Sequence, residues 1–211
     1  MSALCVVAKD VEGARKNFEL AQRAYVQSDV RTFAPHVHAA AADVALLEGR
    51  ADDALACIKL SLACSEAGAQ QVSAAMVRIA RAFSARGDHG EARRRLTDAI
   101  EIARAAGDLR SKLLAHLELA RVDRRLQNAT AAKSSLLQIC RDALKLGAAP
   151  ILEATLLELI DVERALGNED EARRLSEVIE GVSPAGPVPT DVLKVAVEEH
   201  LLNVERQTLR L

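Results

Sequence analysis

Apolar residues recur at helical spacing along almost the whole chain, and small or left-handed-tolerant residues interrupt them at regular intervals. The pattern predicts helices over 11–27, 35–48, 51–67, 70–86, 89–106, 109–126, 129–146, 151–166, 169–181 and 190–209. Alternate stretches end near Gly49, Gly87, Gln127-Asn128 and Gly167, where Gly and Asn suit the left-handed end of a helix. The next stretch starts two or three residues later with acidic or small polar residues, which favour a helix N-terminus, and runs to Gly68, Gly107 or Gly147. Pro35 and Pro150 fall in first turns, where no backbone N–H is needed.

These pairs of helices repeat. Five short segments resemble one another, and their anchoring alanines are Ala14, Ala54, Ala92, Ala132 and Ala172, spaced by 40, 38, 40 and 40 residues. Such a period marks a stack of small supersecondary units, each of which relies on its neighbours to complete a core. Four residues after the anchors stand Phe18, Ile58, Leu96, Leu136 and Ser176, one turn along the same face. Twelve residues before them stand Ala42, Ala80, Ala120 and Ile160. A small residue late in one helix therefore faces a small residue early in the next, which lets the two backbones approach closely.

Composition agrees with an all-α chain. The 211 residues include 40 Ala and 29 Leu, with three Phe, one Tyr and no Trp, and Ala and Leu lose little freedom in a helix. Charge is nearly balanced at −2 with 27% charged residues, which argues against a disordered tail or a membrane protein. No apolar run approaches the about 18 residues of a membrane span. The segment Met1 to Ala8 is too short, and lacks the basic leader, for a secretory signal. Cys5, Cys57, Cys64 and Cys140 have neither metal-like nor redox-like spacing and read as small hydrophobes in a reducing cytoplasm.

The chain resembles the tetratricopeptide (TPR) family of helix–turn–helix repeats. Ile79, Ala80, Phe83, Gly87, Ala92, Leu96 and Ala99 match its large-then-small, turn and small-residue pattern. The family's Trp is absent, Phe83 is the surviving first-helix aromatic, and the spacing exceeds the family's usual period of about 34. The resemblance spans roughly 9–182 and implies a right-handed α-solenoid with a C-terminal capping helix. Repeats are expected at 1–31 (partial), 32–70, 71–109, 110–149 and 150–182, then a Pro-rich linker at 183–189 and a final helix at 190–211.

Both ends carry candidate contacts. The first repeat lacks room for a full first helix, so Leu4, Val6 and Val7 are expected to meet another copy, a partner helix or a preceding domain. In the last helix, Leu193, Val197, Leu201 and Val204 form a stripe that either closes the last repeat or makes a dimer or partner contact.

In the TPR register, first helices line the concave side. One inward position per repeat is then Asp43, Arg81, Arg121 and Asp161. Three residues earlier stand Arg78, Glu118 and Glu158; three later stand Arg124 and Arg164, with Arg125 beside the former. Guanidinium forks suit carboxylate recognition, so the groove is expected to hold a protein segment, an acidic peptide in particular. The competing expectation is a solvated intramolecular lattice of those arginines with Glu118, Glu158 and Asp161. The Lys and Asn set with which some TPR domains clamp a C-terminal carboxylate is missing.

Chemistry finds little support. His36 and His38 point away from each other on a helix, His89 occupies a turn, and His116 and His200 lack triad-like neighbours. All five read as surface or cap histidines. No phosphate-binding loop is present, and no metal or cofactor is expected. Negative net charge and four aromatics speak against nucleic acid, and Arg93, Arg94 and Arg95 read as a solvated face. The expected function is a protein-binding scaffold with no enzymatic activity. The alternatives are a sensor module for a small ligand or peptide within a signal-responsive regulator, and a structural subunit of a larger assembly.

Overall fold

The computed structural model describes residues 11–28, 34–64, 68–180 and 190–208. Among the described residues there are ten helices and no strand: α1 (Val11–Ser28), α2 (Ala34–Leu47), α3 (Ala51–Ala63), α4 (Ala69–Ala85), α5 (His89–Ala105), α6 (Leu109–Arg125), α7 (Ala129–Leu146), α8 (Ala149–Ala165), α9 (Glu169–Glu180) and α10 (Thr190–Thr208). Their ends differ from the sequence expectation by one or two residues, except that α3 stops at Ala63. Leu4, Cys5, Val6, Val7 and the linker at 183–189 lie outside the described residues.

The turns show how the sequence ends each helix. Gly49, Gly87, Gly107, Gly147 and Gly167 take φ between 65° and 86°, and Gln127 takes φ 64° at the same place in its repeat. Each such residue is followed by a backbone N–H that reaches back across the turn, as in Asp88 to the Phe83 carbonyl at 3.0 Å and Asn128 to the Asp123 carbonyl at 2.9 Å. These bonds satisfy carbonyls that a helix end would otherwise leave exposed. Gly68 differs: its backbone is extended and it precedes α4 as the N-cap residue, with its N–H donated to Gln71 Oε1 at 3.3 Å. Asp88 and Asp108 start α5 and α6 by accepting the N–H groups of Glu91 and Ser111.

The five anchoring alanines are all fully buried, at 0% exposure. Their counterparts Ala42, Ala80, Ala120 and Ile160 are 0–4% exposed. Small residues at these buried positions are what the periodic alanines encode, with Ile160 the exception.

The chain divides into two compact units, 1–118 and 119–211, with the division inside α6. In the first, α1 packs on α2, α2 on α3 and α4, α3 on α4, and α4 on α5. Its core is alanine-rich, with Ala42, Ala45, Ala54, Ile58 and Ala75 packed against Leu46, Cys57, Leu62 and Ile79. In the second, α7 packs on α8, α8 on α9, and α10 against α7, α8 and α9. Leu136, Ile151, Leu152, Leu156, Leu159 and Val162 fill that unit with larger side chains. Leu193 and Val197 of α10 join the buried set, at 0% and 1% exposure. Leu201 is half-buried, and the side chain of Val204 lies outside the described residues. Half of the stripe that the sequence offers to a partner is therefore taken up by the unit's own core.

Candidate interaction site

The charged register positions of the first helices obey one rule. A residue at one register position of a first helix pairs with the residue three positions earlier in the next first helix, because side chains three apart share a helix face. In the first unit, Asp43 of α2 meets Arg78 of α4, with Nε to Oδ1 at 2.8 Å and Nη2 to Oδ2 at 3.0 Å. Arg81 of α4 meets Glu118 of α6, with Nη2 to Oε1 at 2.7 Å. In the second unit, Arg121 Nε donates to Glu158 Oε2 at 3.0 Å and Arg124 Nε to Glu158 Oε1 at 2.5 Å.

These pairs are not the solvated lattice that the sequence suggests. Asp43 is fully buried, Glu118 and Glu158 nearly so, and Arg78, Arg81 and Arg121 are mostly covered. Removing a charge from such a pair strands its partner away from water, which is costly. Some of the candidate residues of the second unit do face solvent. Asp161 is 41% exposed and Arg164 52%; Arg164 Nη1 stands 3.8 Å from Asp161 Oδ1, and Arg124 Nη2 3.5 Å from Oδ2. Arg125 is exposed at the end of α6. Asp43, Arg78, Arg81, Glu118 and Arg121 thus belong to well-shielded inter-helix ion pairs, and Asp161, Arg164 and Arg125 face water. Arg124 bridges the two groups.

No family model matches the sequence, and neither does any curated protein. Solved structures do share its fold. A kinesin light chain-type protein of Podosopora anserina with nearly identical TPR-like repeats, solved as a point-substituted variant, superposes with TM-score 0.53 at 21% identity. The match covers 79% of this chain and 92% of that one. The same repeats without the substitution give TM-score 0.50 at 21% identity, over 77% and 91%. BtubC (BKLC) of P. vanneervenii gives TM-score 0.50 at 13% identity, over 85% and 94%. The fold is TPR-like.

This TPR-like chain holds a second polar cluster, one that the sequence reading does not foresee. Glu163 of α8 is fully buried. Lys133 Nζ of α7 lies 2.8 Å from its Oε1, and Asn168 Nδ2 donates to its Oε2 at 2.7 Å. His200 of α10 completes the cluster, with Nε2 3.6 Å from Glu163 Oε1 and Nδ1 2.5 Å from Glu171 Oε1 of α9. His200 is 3% exposed, so it is an interior residue and not the surface histidine expected from sequence. The signal that could find it is the period itself. His200 stands 40 residues after Ile160, in the register of the buried positions Ala42, Ala80, Ala120 and Ile160. Lys133, one residue after the anchor Ala132, supplies the countercharge that a buried carboxylate requires.

The described cysteines are free thiols: Cys57 half-buried, Cys64 exposed and Cys140 buried. Burial, with Asp53 adding to it, pushes the Cys57 thiol up, and burial pushes Cys140 up to about 12. Neither is therefore activated as a nucleophile. Among the described residues, no cluster of His, Cys, Asp and Glu could hold a metal ion, and no helix is long and apolar enough to cross a membrane.

Proposed function

We propose that the chain is a protein-interaction scaffold. Its second unit receives an acidic segment of a partner on the face formed by α6 and α8. The gathering of arginines around Glu158 and Asp161, with Arg164 half-exposed to solvent, carries this reading. Arg121, Arg124 and Arg164 surround these two carboxylates, and Arg125 is exposed at the end of α6. In the first unit, Asp43 pairs with Arg78 and Arg81 with Glu118, and all four side chains are largely shielded. An arginine-rich, planar, donor-rich face favours carboxylate ligands over other peptides. The TPR-like repeats of the structural neighbours fit a scaffold, and free thiols fit a reducing compartment such as the cytoplasm.

The test uses fluorescently labelled peptides rich in Asp and Glu, titrated at low and high salt. Arg125→Glu with Arg164→Glu should abolish binding while leaving helicity unchanged, because both side chains face solvent. Arg121→Glu or Arg124→Glu is a poorer probe, since either would turn a repulsive charge on shielded Glu158. Binding that survives the exposed double reversal, or that ignores salt, overturns the reading.

A further inference from the structure

The first unit holds a cleft of about 350 Å³ between α2, α3 and α4. Its origin is legible in the register. Ala39 occupies the place that the buried Val77 and Leu117 fill in the next two first helices. A bulky side chain is thus missing from one repeat. The wall beside it is also shortened: α3 has 13 residues where the corresponding α5 has 17. Ala74 and Ala75 of α4 add no bulk on the facing side, so Ile58 and Leu62 of α3 are left as an apolar floor.

The rim is polar. His36, Gln70 and Gln71 edge the opening, and Ser61 donates its hydroxyl to the Pro35 carbonyl at 2.7 Å. Among the described lining residues, Arg78 has the only formal charge. Its Nε and Nη2 hold Asp43, which is fully buried behind it, so Nη1 remains for another acceptor. The Asp43 clamp fixes the guanidinium plane in advance, which reduces the ordering cost of binding. An apolar recess of this size with a few convergent polar groups at its edge is the form small-ligand sites take.

We propose that this cleft binds a small amphiphilic carboxylate. The apolar body lies against Ala39, Ile58, Leu62 and Ala75, and the carboxylate meets Arg78 Nη1. The acid is a free molecule and not part of a polypeptide. The site belongs to the first unit and stands independently of the acidic-segment face of the second, so either can fail without the other.

The experiment is calorimetric titration and thermal denaturation of the full chain with octanoate, below its micellar concentration. Octanamide and octylamine share its tail and serve as controls. Octanoate should bind saturably and raise the Tm, and neither control should do so at the same concentration. Ala39→Leu restores the bulk present in the later repeats and should weaken octanoate by at least about tenfold. Gln70→Glu places a carboxylate at the exposed rim, leaves the core untouched and should weaken it measurably by like-charge repulsion. If Ala39→Leu fails to fold, Gln70→Glu alone decides. Absence of a saturable octanoate signal overturns the proposal. So does equal binding of the amide or amine, or undiminished binding by Gln70→Glu or by a folded Ala39→Leu. Binding of an acidic peptide in this cleft with no binding of octanoate also overturns it.

Discussion

Arg78 grips Asp43 side-on, Nε to Oδ1 and Nη2 to Oδ2, across 35 residues of sequence. The pair joins α2 to α4, and its carboxylate has no exposed surface. Asp43→Ala would leave Arg78 with a mostly covered charge and no carboxylate behind it, and unfolding by urea should show a loss of about 3–5 kcal/mol. Arg50→Ala offers the contrast, because Arg50 pairs with Glu48 and Asp53 at the surface. That variant should have the urea midpoint of the parent, since water screens such pairs and solvates what is left.

Gln127 adopts a left-handed backbone where the other turns of this kind use glycine. A side chain there is strained against its own backbone, and its removal relieves the strain. Gln127→Gly should therefore stabilise the chain by about 0.5–1 kcal/mol, which a shift in thermal midpoint would reveal. Gly87→Ala, at φ 86°, should destabilise by a similar amount for the same reason.

Ala132 has no exposed surface. Ala132→Leu has nowhere to place its added carbons without moving α7 away from what it packs on. The expected loss is about 1–3 kcal/mol, measured by denaturant titration. Ala131, exposed and one residue earlier, should accept leucine with almost no change.

Cys140 makes an alkaline prediction. Its folded thiol ionises at about 12, above the ordinary value of 9.0, because burial disfavours the thiolate. A raised folded value means that its contribution is fully present below about pH 9 and is lost as pH rises toward about 12. Stability should fall across that window by up to about 1.4 kcal/mol per pH unit from this group. Cys140→Ala should flatten that part of the pH profile relative to the parent. At neutral pH in a Cys5→Ser background, a thiol reagent should label exposed Cys64 readily and reach Cys140 only after unfolding.

The fold is readable because its cause is local and repeated. Close helix contacts demand small residues, and turns demand left-handed backbone, so Ala14 through Ala172 and Gly49 through Gly167 mark the architecture directly. The recurrence of charged residues at one register position is readable as well, since it keeps the period. Their pairing is not, because nothing in the residue types says whether Arg78 meets water, a partner or Asp43. The stacking of consecutive first helices decides that. His200 escapes for a related reason. A lone histidine beyond a Pro-rich stretch carries no visible partner until Glu163 and Glu171 converge on it from two other helices, with Lys133 behind them on a third.

The inter-helix pairs also differ in direction. In the first, the acid comes from the earlier helix, Asp43 to Arg78; in the other two the base does, Arg81 to Glu118 and Arg121 to Glu158. That asymmetry limits how such a chain can lengthen by copying its own parts. A tandem duplicate of the segment 110–149 would set Arg121 against a second Glu118 and extend the array with matched charges. A duplicate of 71–109 would set Arg81 against a second Arg78, guanidinium against guanidinium away from water. Growth is therefore permitted at one place in the gene and electrostatically barred at another.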